Sequence, residues 1–347
     1  MRQVIPPYRT ARSVTQEEVG RVAGVSGKTV GRVLARDPHV SAATREKVER
    51  AIRETGFRPN LAARSLAAAR SYLIAIFVPD HSSLYHADLF RGAAAACGAN
   101  GYHLLLEEYD AADNGSALAR YRESQRRVRC DGVILPPPLS NDRELIECLK
   151  SDGMAHVLIA PAGKVENVPA VFADERAGLI ELFDHLWARG HRRFGLCTAP
   201  LGHPYLQQRN DIFLQCLEEK GVSESDAMFA PFVWHGSGML SGRAAAAFLL
   251  TRELRPDAIF AFNDEYAQGV MIGAQELGIR VPQAVAVAGF DDGAAAQFAW
   301  PPLTTIRQPL DRMAAKAVEL AIHGGESCTY PVQLIVRQST VPEDLHG

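Results

Sequence analysis

Val14-Thr15-Gln16-Glu17-Glu18-Val19-Gly20-Arg21-Val22-Ala23-Gly24-Val25-Ser26-Gly27-Lys28-Thr29-Val30-Gly31-Arg32-Val33-Leu34 stands near the start of a 347-residue chain. Val19, Val22 and Ala23 recur at helical spacing, Thr15 is placed as an N-cap, and Glu18 follows three residues later as in a capping box. The spacing predicts a helix beginning at Thr15. Gly24 lies where a chain leaving that helix needs positive φ, Val25 is an apolar plug, and Ser26 can cap a second helix running to about Leu34. Two short helices joined by a glycine turn make a helix-turn-helix. On the second helix Val30, Val33 and Leu34 face inward, so Gly27, Lys28, Thr29 and Arg32 face outward near the end that enters the major groove of DNA in this motif. Other small helical pairs carry the same local pattern, and the charge distribution decides between them. Residues 1–70 hold 14 Lys and Arg against 6 Asp and Glu, whereas the remainder holds 23 against 34. The head suits phosphate and the body does not.

The length allows two or three domains, and 47% hydrophobic residues can fill large cores. Cysteines 97, 130, 148, 197, 216 and 328 form no Cys-x-x-Cys pair and have no partners at zinc-finger spacing. They read as reduced, mostly buried thiols. Met1 to Arg12 has three arginines and two prolines but no apolar core, and no later stretch approaches the length of a membrane span. A soluble cytoplasmic protein, with neither metal nor cofactor, is expected.

Beyond a linker, strand-like runs at Tyr72 to Val78, His103 to Leu106, Gly132 to Leu135 and Val157 to Ala160 alternate with helical segments at Leu89 to Ala99, Leu118 to Val128 and Arg143 to Lys150. The rhythm repeats with strands at Phe194 to Cys197, Phe229 to Val233, Ala258 to Phe262 and Val285 to Phe290. Helices at Ala177 to Arg189, Leu206 to Lys220, Gly242 to Arg252 and Glu265 to Leu277 fill its gaps. Such alternation predicts parallel sheets covered on both faces, in two doubly wound subdomains. Ligands of such sheets sit beyond the carboxyl ends of the strands, so the cleft between the subdomains is the expected binding site.

Enzyme motifs fail on inspection. Gly27-Lys28-Thr29 resembles the end of a phosphate-binding loop, but Val22 stands where that loop requires glycine. Gly236-Ser237-Gly238 fails as a dinucleotide fingerprint because its third glycine position is Ser241. No nucleophile elbow or zinc-protease helix occurs. Asp174-Glu175 and Asp291-Asp292 put carboxylates near strand ends, where a glycosidase would also want them, and these pairs alone leave that alternative open.

Taken together, the chain resembles the LacI/GalR family of bacterial transcriptional regulators. The carriers are Val25-Ser26 with Thr29-Val30, Arg32-Val33-Leu34, Val40-Ser41 with Thr44-Arg45, and Gly56-Phe57-Arg58-Pro59-Asn60. Further carriers are Arg91-Gly92, Asp131 to Leu135, Gly190-His191-Arg192-Arg193, Asn263-Asp264, Gly289-Phe290-Asp291-Asp292 and Pro301-Pro302-Leu303-Thr304-Thr305. The resemblance implies an all-α helix-turn-helix head at 13–58 and a hinge helix at 59–70. It implies a periplasmic-binding-protein-like α/β body of two doubly wound subdomains, at 71–171 plus 303–326 and at 172–302 plus 327–345.

It also implies a homodimeric, sequence-specific repressor of carbohydrate-utilisation genes, released from a near-palindromic operator by a small sugar-type effector in the cleft between the subdomains. An effector acting as corepressor and a sugar-binding module without DNA regulation are the alternatives. By position, Gly27, Lys28 and Arg32 match major-groove readers, while Ser26, Thr29, His39, Ser41 and Asn60 match phosphate contacts. Ala63 and Leu66 belong to the hinge, with Leu66 at the position of a minor-groove wedge. In the body Arg209 and Asp291 match effector-binding positions, Asn263 and Gln308 match polar positions near the cleft, and Tyr85 matches an aromatic one. Trp234 is offset from the family's usual aromatic and suits core packing equally. Gly31 departs from the serine usual in the recognition helix and weakens helix propensity by about 1 kcal/mol. The chain has no heptad tail after the strand-like Val332 to Val336, which points to a dimer.

Overall fold

The computed structural model describes residues 14–34, 37–57, 65, 68, 70–80, 84–111, 113, 115–197, 204–222, 227–233, 235 and 237–341. The chain divides into two compact units, Met1–Arg70 and Ser71–Gly347.

The head contains α1 (Gln16–Ala23), α2 (Gly27–Leu34) and α3 (Ala42–Thr55). Thr15 accepts from Glu18 N at 3.2 Å and Glu18 Oε2 accepts from Thr15 N at 2.7 Å, so both halves of the capping box are made. Gly24 turns the chain at φ 69°, a conformation that costs a side chain more than glycine. Thr29 N donates to Ser26 Oγ at 3.1 Å and caps α2, while Ser41 caps α3. Val19, Val30, Val33, Val48, Ala51 and Phe57 close the core. Val22 does not join them as its spacing suggested: it is 54% exposed. Three helices on so small a core present only one stripe of α1 inward, and Val19 with Ala23 occupies it.

The body has two parallel sheets. In the first, β1 (Leu73–Pro79), β2 (His103–Tyr109), β3 (Gly132–Leu135), β4 (His156–Ile159), β5 (Ala170–Ala173) and β11 (Cys328–Tyr330) run in the order β11-β5-β4-β3-β1-β2. One face is covered by α4 (Leu84–Ala99) and α12 (Leu310–His323), through Leu89, Ala93, Met313 and Val318. The other is covered by α5 (Ser116–Arg127) and α6 (Arg143–Ser151), through Leu118, Tyr121, Leu145 and Leu149. In the second sheet, β6 (Phe194–Cys197), β7 (Met228–Ala230), β8 (Ala258–Phe260) and β9 (Ala286–Ala288) take the order β7-β6-β8-β9. It lies between α7 (Glu175–Ala188) with α8 (Pro204–Glu219) and α9 (Gly238–Leu250) with α10 (Asp264–Glu276). The fully buried strands β3, β4, β6, β8 and β9 are apolar runs, apart from His156 at the start of β4, because both of their faces are covered.

Three connections pass between the subdomains: β5 to α7; β10 (Thr305–Arg307) to α12; and β11 to β12 (Gln333–Ile335). Their positions correct the expected boundaries. Leu303 and Ile306 pack in the second subdomain and β10 pairs with β12, so 303–307 does not belong to the first. Conversely, Cys328, Thr329 and Tyr330 pair in register with Val171, Phe172 and Ala173, which puts β11 in the first sheet. Backbone pairing fixes both assignments, since an edge strand goes wherever its N–H and C=O groups find a ladder. A short helix, α11 (Ala294–Phe298), completes the second subdomain. Among the described residues no helix is long and apolar enough to cross a membrane.

Candidate nucleic-acid interface and effector cleft

In the head, the caps and the core fix which side chains of α2 point outward. Lys28 and Arg32 are exposed on the face away from Val30 and Val33, whereas Gly27 and Thr29, expected to face outward, are half-buried at its edges, Gly27 close against Glu17 of α1. The hydroxyls of Ser26 and Thr29 lie 2.9 Å apart, as do those of Ser41 and Thr44, so each cap also places a second hydroxyl at a helix N-terminus. A helix N-terminus offers N–H groups and positive potential to phosphate. His39 is exposed beside Ser41, in the turn before α3. Arg32 Nε donates to Asp37 Oδ2 at 2.8 Å, and this contact with Arg32 holds the Asp37 carboxyl below its usual range. The sequence reading missed Asp37. Asn60, Ala63 and Leu66 lie outside the described residues.

In the body, Tyr85, Asn263, Asp264, Glu265, Gln268 and Asp291 line a narrow cleft beside Gly293, Ala295 and Ala296. Tyr85 comes from the first subdomain at the start of α4; the others come from the second. Asn263 follows β8 and caps α10, accepting from Tyr266 N at 2.8 Å, which commits its oxygen to the helix. Asp291 follows β9, where positive φ at two consecutive residues (111° and 55°) turns the chain sharply. Such φ values are uncommon outside glycine and make this a strained turn. The turn gives its adjacent carboxylates different partners. Asp291 Oδ1 accepts from Gln308 Nε2 at 2.8 Å, whereas Asp292 is held by Arg307 at 2.6 Å and Arg337 at 2.7 Å.

Arg209 is nearly fully buried on α8. Its Nε and Nη2 donate to the two oxygens of Glu175 at 2.9 and 2.8 Å, its Nη1 donates to Phe262 O at 2.5 Å, and its guanidinium lies 3.6 Å from the centre of the Phe290 ring. The expected ligand fork is therefore turned onto a protein carboxylate. Burial pushes the Asp291 carboxyl up to about 7, against the opposing pull of Arg209 and Gln308. Burial, reinforced by the Asp291 charge, pushes Asp264 well up also, although it accepts from Thr305 Oγ1 at 2.5 Å and Gly293 N at 2.8 Å.

The structure thus brings Tyr85, Asn263 and Asp291 to one cleft, with Gln308 and Arg209 behind Asp291. Trp234 lies outside the described residues. Glu175, Asp264 and Gln268 were not among the expected site residues. In the sequence Glu175 reads only as a carboxylate near a strand end, and nothing in its spacing from Arg209, thirty-four positions on, signals their pairing. Of the two acidic pairs a glycosidase would want, Asp174 caps α7, Glu175 holds Arg209 and Asp292 holds two arginines.

A model of bacterial regulatory proteins of the lacI family matches residues 15–60, and one of the periplasmic binding protein-like domain matches residues 183–340. The ribose operon repressor of Escherichia coli (strain K12) is 30% identical over 313 residues, covering 89% of this chain and 92% of that protein. The chain belongs to the LacI family. Another relative, the HTH-type transcriptional regulator GalS of Salmonella typhimurium (strain LT2), is 31% identical over 317 residues, covering 90% of each chain. The solved complex of the transcriptional regulator CelR with cellobiose superposes with a TM-score of 0.67 at 28% identity, over 94% of this chain and 99% of that one. These LacI-family relatives are regulators rather than enzymes. In this LacI-family chain the head and the cleft just described fall within the two matched segments, apart from Tyr85 and Glu175, of which the first precedes and the second closely precedes the longer match.

Proposed function

We propose that this chain is a homodimeric repressor that reads a near-palindromic operator with paired heads and is released by a sugar-type effector bound between the two subdomains of its body. One observation carries the reading. A basic, capped helix pair exposing Lys28 and Arg32 is joined in one chain to a cleft lined by Tyr85, Asn263 and Asp291. Arg32 can pair with guanine, at about 1 to 3 kcal/mol of discrimination for a bidentate contact. Gly27, Lys28 and Arg32 would face bases, while Ser26, Thr29, His39, Ser41 and Asn60 would hold phosphates. The segment 59–70 would act as the hinge, with Ala63 and Leu66 at the minor groove.

In the body, Asp291 and the amide of Asn263 would hold hydroxyls, and Tyr85 would pack on the ligand from the facing subdomain. Gln308 would position Asp291. The names of the relatives support a sugar: one represses a ribose operon and one was solved with cellobiose. Phe298 and Trp300, at 85% and 86% exposure, support a partner surface, since isolated chains seldom present neighbouring large aromatic side chains to water. Its place of work would be the cytoplasm, on DNA.

The test is operator binding by the full chain, followed by fluorescence anisotropy on a palindrome selected from a random library, with and without mono- and disaccharides. Release on sugar addition is expected. Tighter binding on addition would replace induction with corepression, and absence of binding at low salt would leave only a sugar-binding module.

A further inference from the structure

The charges around the cleft are unevenly committed. Arg209 spends its fork on Glu175, and Arg307 with Arg337 is spent on Asp292. The described residues lining the cleft include Asp264, Glu265 and Asp291 but neither Lys nor Arg. Gln308 is 4% exposed; its nitrogen is committed to Asp291, and its Oε1 finds no donor among the described residues. The described lining thus carries carboxyl groups without a cation beside them. Resting on the effector reading above, we propose that the cleft selects a hydrogen-bond-donating effector without phosphate or carboxylate, and that Glu175 enforces this choice by occupying the Arg209 fork. An anion would meet carboxyl groups while Arg209, the cation behind them, is already neutralised by Glu175, whereas a hydroxyl can donate to Asp291.

The experiment is calorimetric titration of the full chain with ribose, galactose and cellobiose, and with ribose 5-phosphate, galactose 6-phosphate and galacturonate. Binding of a neutral sugar, with its anionic counterpart weaker by about tenfold or more, is expected. In Glu175→Gln the freed fork should narrow that gap. An anionic member that binds as tightly as its neutral parent overturns this inference alone. Binding of no member at millimolar concentration overturns the sugar reading and this one with it.

A second inference concerns the head. Asp37 is fixed on several sides: its N–H donates to Arg32 O at 3.0 Å, its Oδ1 accepts from His39 N at 2.9 Å, and its carbonyl accepts from Arg45 Nη2 at 3.0 Å. Its remaining oxygen accepts from the Nε of Arg32, a contact that does not use the terminal nitrogens of that guanidinium. We infer that Asp37 is a positioning residue for base reading: it restrains Arg32 before DNA arrives and so reduces the ordering lost on contact. This rests on the DNA-reading head.

Its test compares wild type, Arg32→Ala, Asp37→Ala and Asp37→Asn on the selected palindrome and on versions altered at the base pair whose preference Arg32→Ala loses. Asp37→Ala should lower that preference about tenfold with the salt slope unchanged. Asp37→Asn, whose single amide oxygen can keep only one of the contacts to Arg32 and His39, should lie between. A mere loss of negative charge would instead tighten binding to all DNA with preference intact, and that outcome overturns the inference. A wild type without base preference overturns the reading of the head itself.

Discussion

Asp291 is the residue at which the cleft's electrostatics can be read. Its carboxyl titrates near 7 because it is buried, against about 3.9 for an exposed aspartate. The folded chain therefore keeps a proton that the unfolded chain has already released between those values. The associated stability is complete below about pH 4 and is lost as pH rises through about 7. Asp264 shifts in the same direction, and Arg209 and Glu175 face Asp291 with opposite effects. Asp291→Asn removes the titration while keeping an acceptor for Gln308. Melting temperature against pH for the unliganded proteins should show the wild type falling relative to the variant between about pH 4 and 7 and running parallel to it above that range. Parallel curves would mean that Asp291 is not the group responsible. At the same scale, Arg209 shows why a site read from position alone is incomplete. Its place in the sequence was legible, but its commitment to Glu175 depends on how α7 and α8 pack.

Among the elements, α2 and the α9–α10 pair make opposite predictions about glycine. A Cβ on Gly31 would meet only Gln16 Oε1 at 3.4 Å, an ordinary contact, so packing does not require glycine there. Gly31→Ala should raise the stability of the head by up to about 1 kcal/mol, read from its denaturant unfolding. A Cβ on Gly242 would stand 2.1 Å from Tyr266 O, and one on Gly269 would stand 2.1 Å from Met239 O, because α9 and α10 cross in backbone contact. Gly242→Ala should destabilise the body by about 1 to 3 kcal/mol, since neither backbone can withdraw without unpacking its own side.

The sequence made the alternating elements legible because each strand is a short apolar run and each helix has its own period. Gly132–Leu135 and Phe194–Cys197 were read with the bounds they have. The crossing segments were less legible. Ala170–Ala173 and Cys328–Tyr330 are short and only partly buried, and their pairing with each other depends on the fold. The helix Leu310–His323 carries a strong apolar stripe and was open to reading, yet the alternation of strands did not call for it. Its Pro309 N-cap position makes no side-chain hydrogen bond that would announce its start.

For the whole molecule, the question is how ligand and DNA communicate. The cleft as it stands has about 30 Å³ of space, room for roughly two waters. Gln208 on α8 also bridges it, donating to Ala162 O in the first subdomain at 2.8 Å. A ligand larger than those waters would have to part the subdomains before it could be held between them. Since three separate connections join the subdomains, such a movement is carried by all three at once. An effector can shift the operator-binding state only as far as its affinities for the two states differ. The coupling is then reciprocal: if sugar weakens operator binding by some factor, saturating operator must weaken sugar binding by the same factor. Titrating sugar into the full chain with and without a saturating selected palindrome measures this directly. Equality of the two factors is expected for the wild type. Leu66→Ala should weaken operator binding, because the proposed wedge no longer unstacks its base step, while sugar affinity in the absence of DNA stays as in wild type. If the variant instead binds operator as tightly as the wild type, Leu66 is no wedge, and the coupling must run through the head by another route.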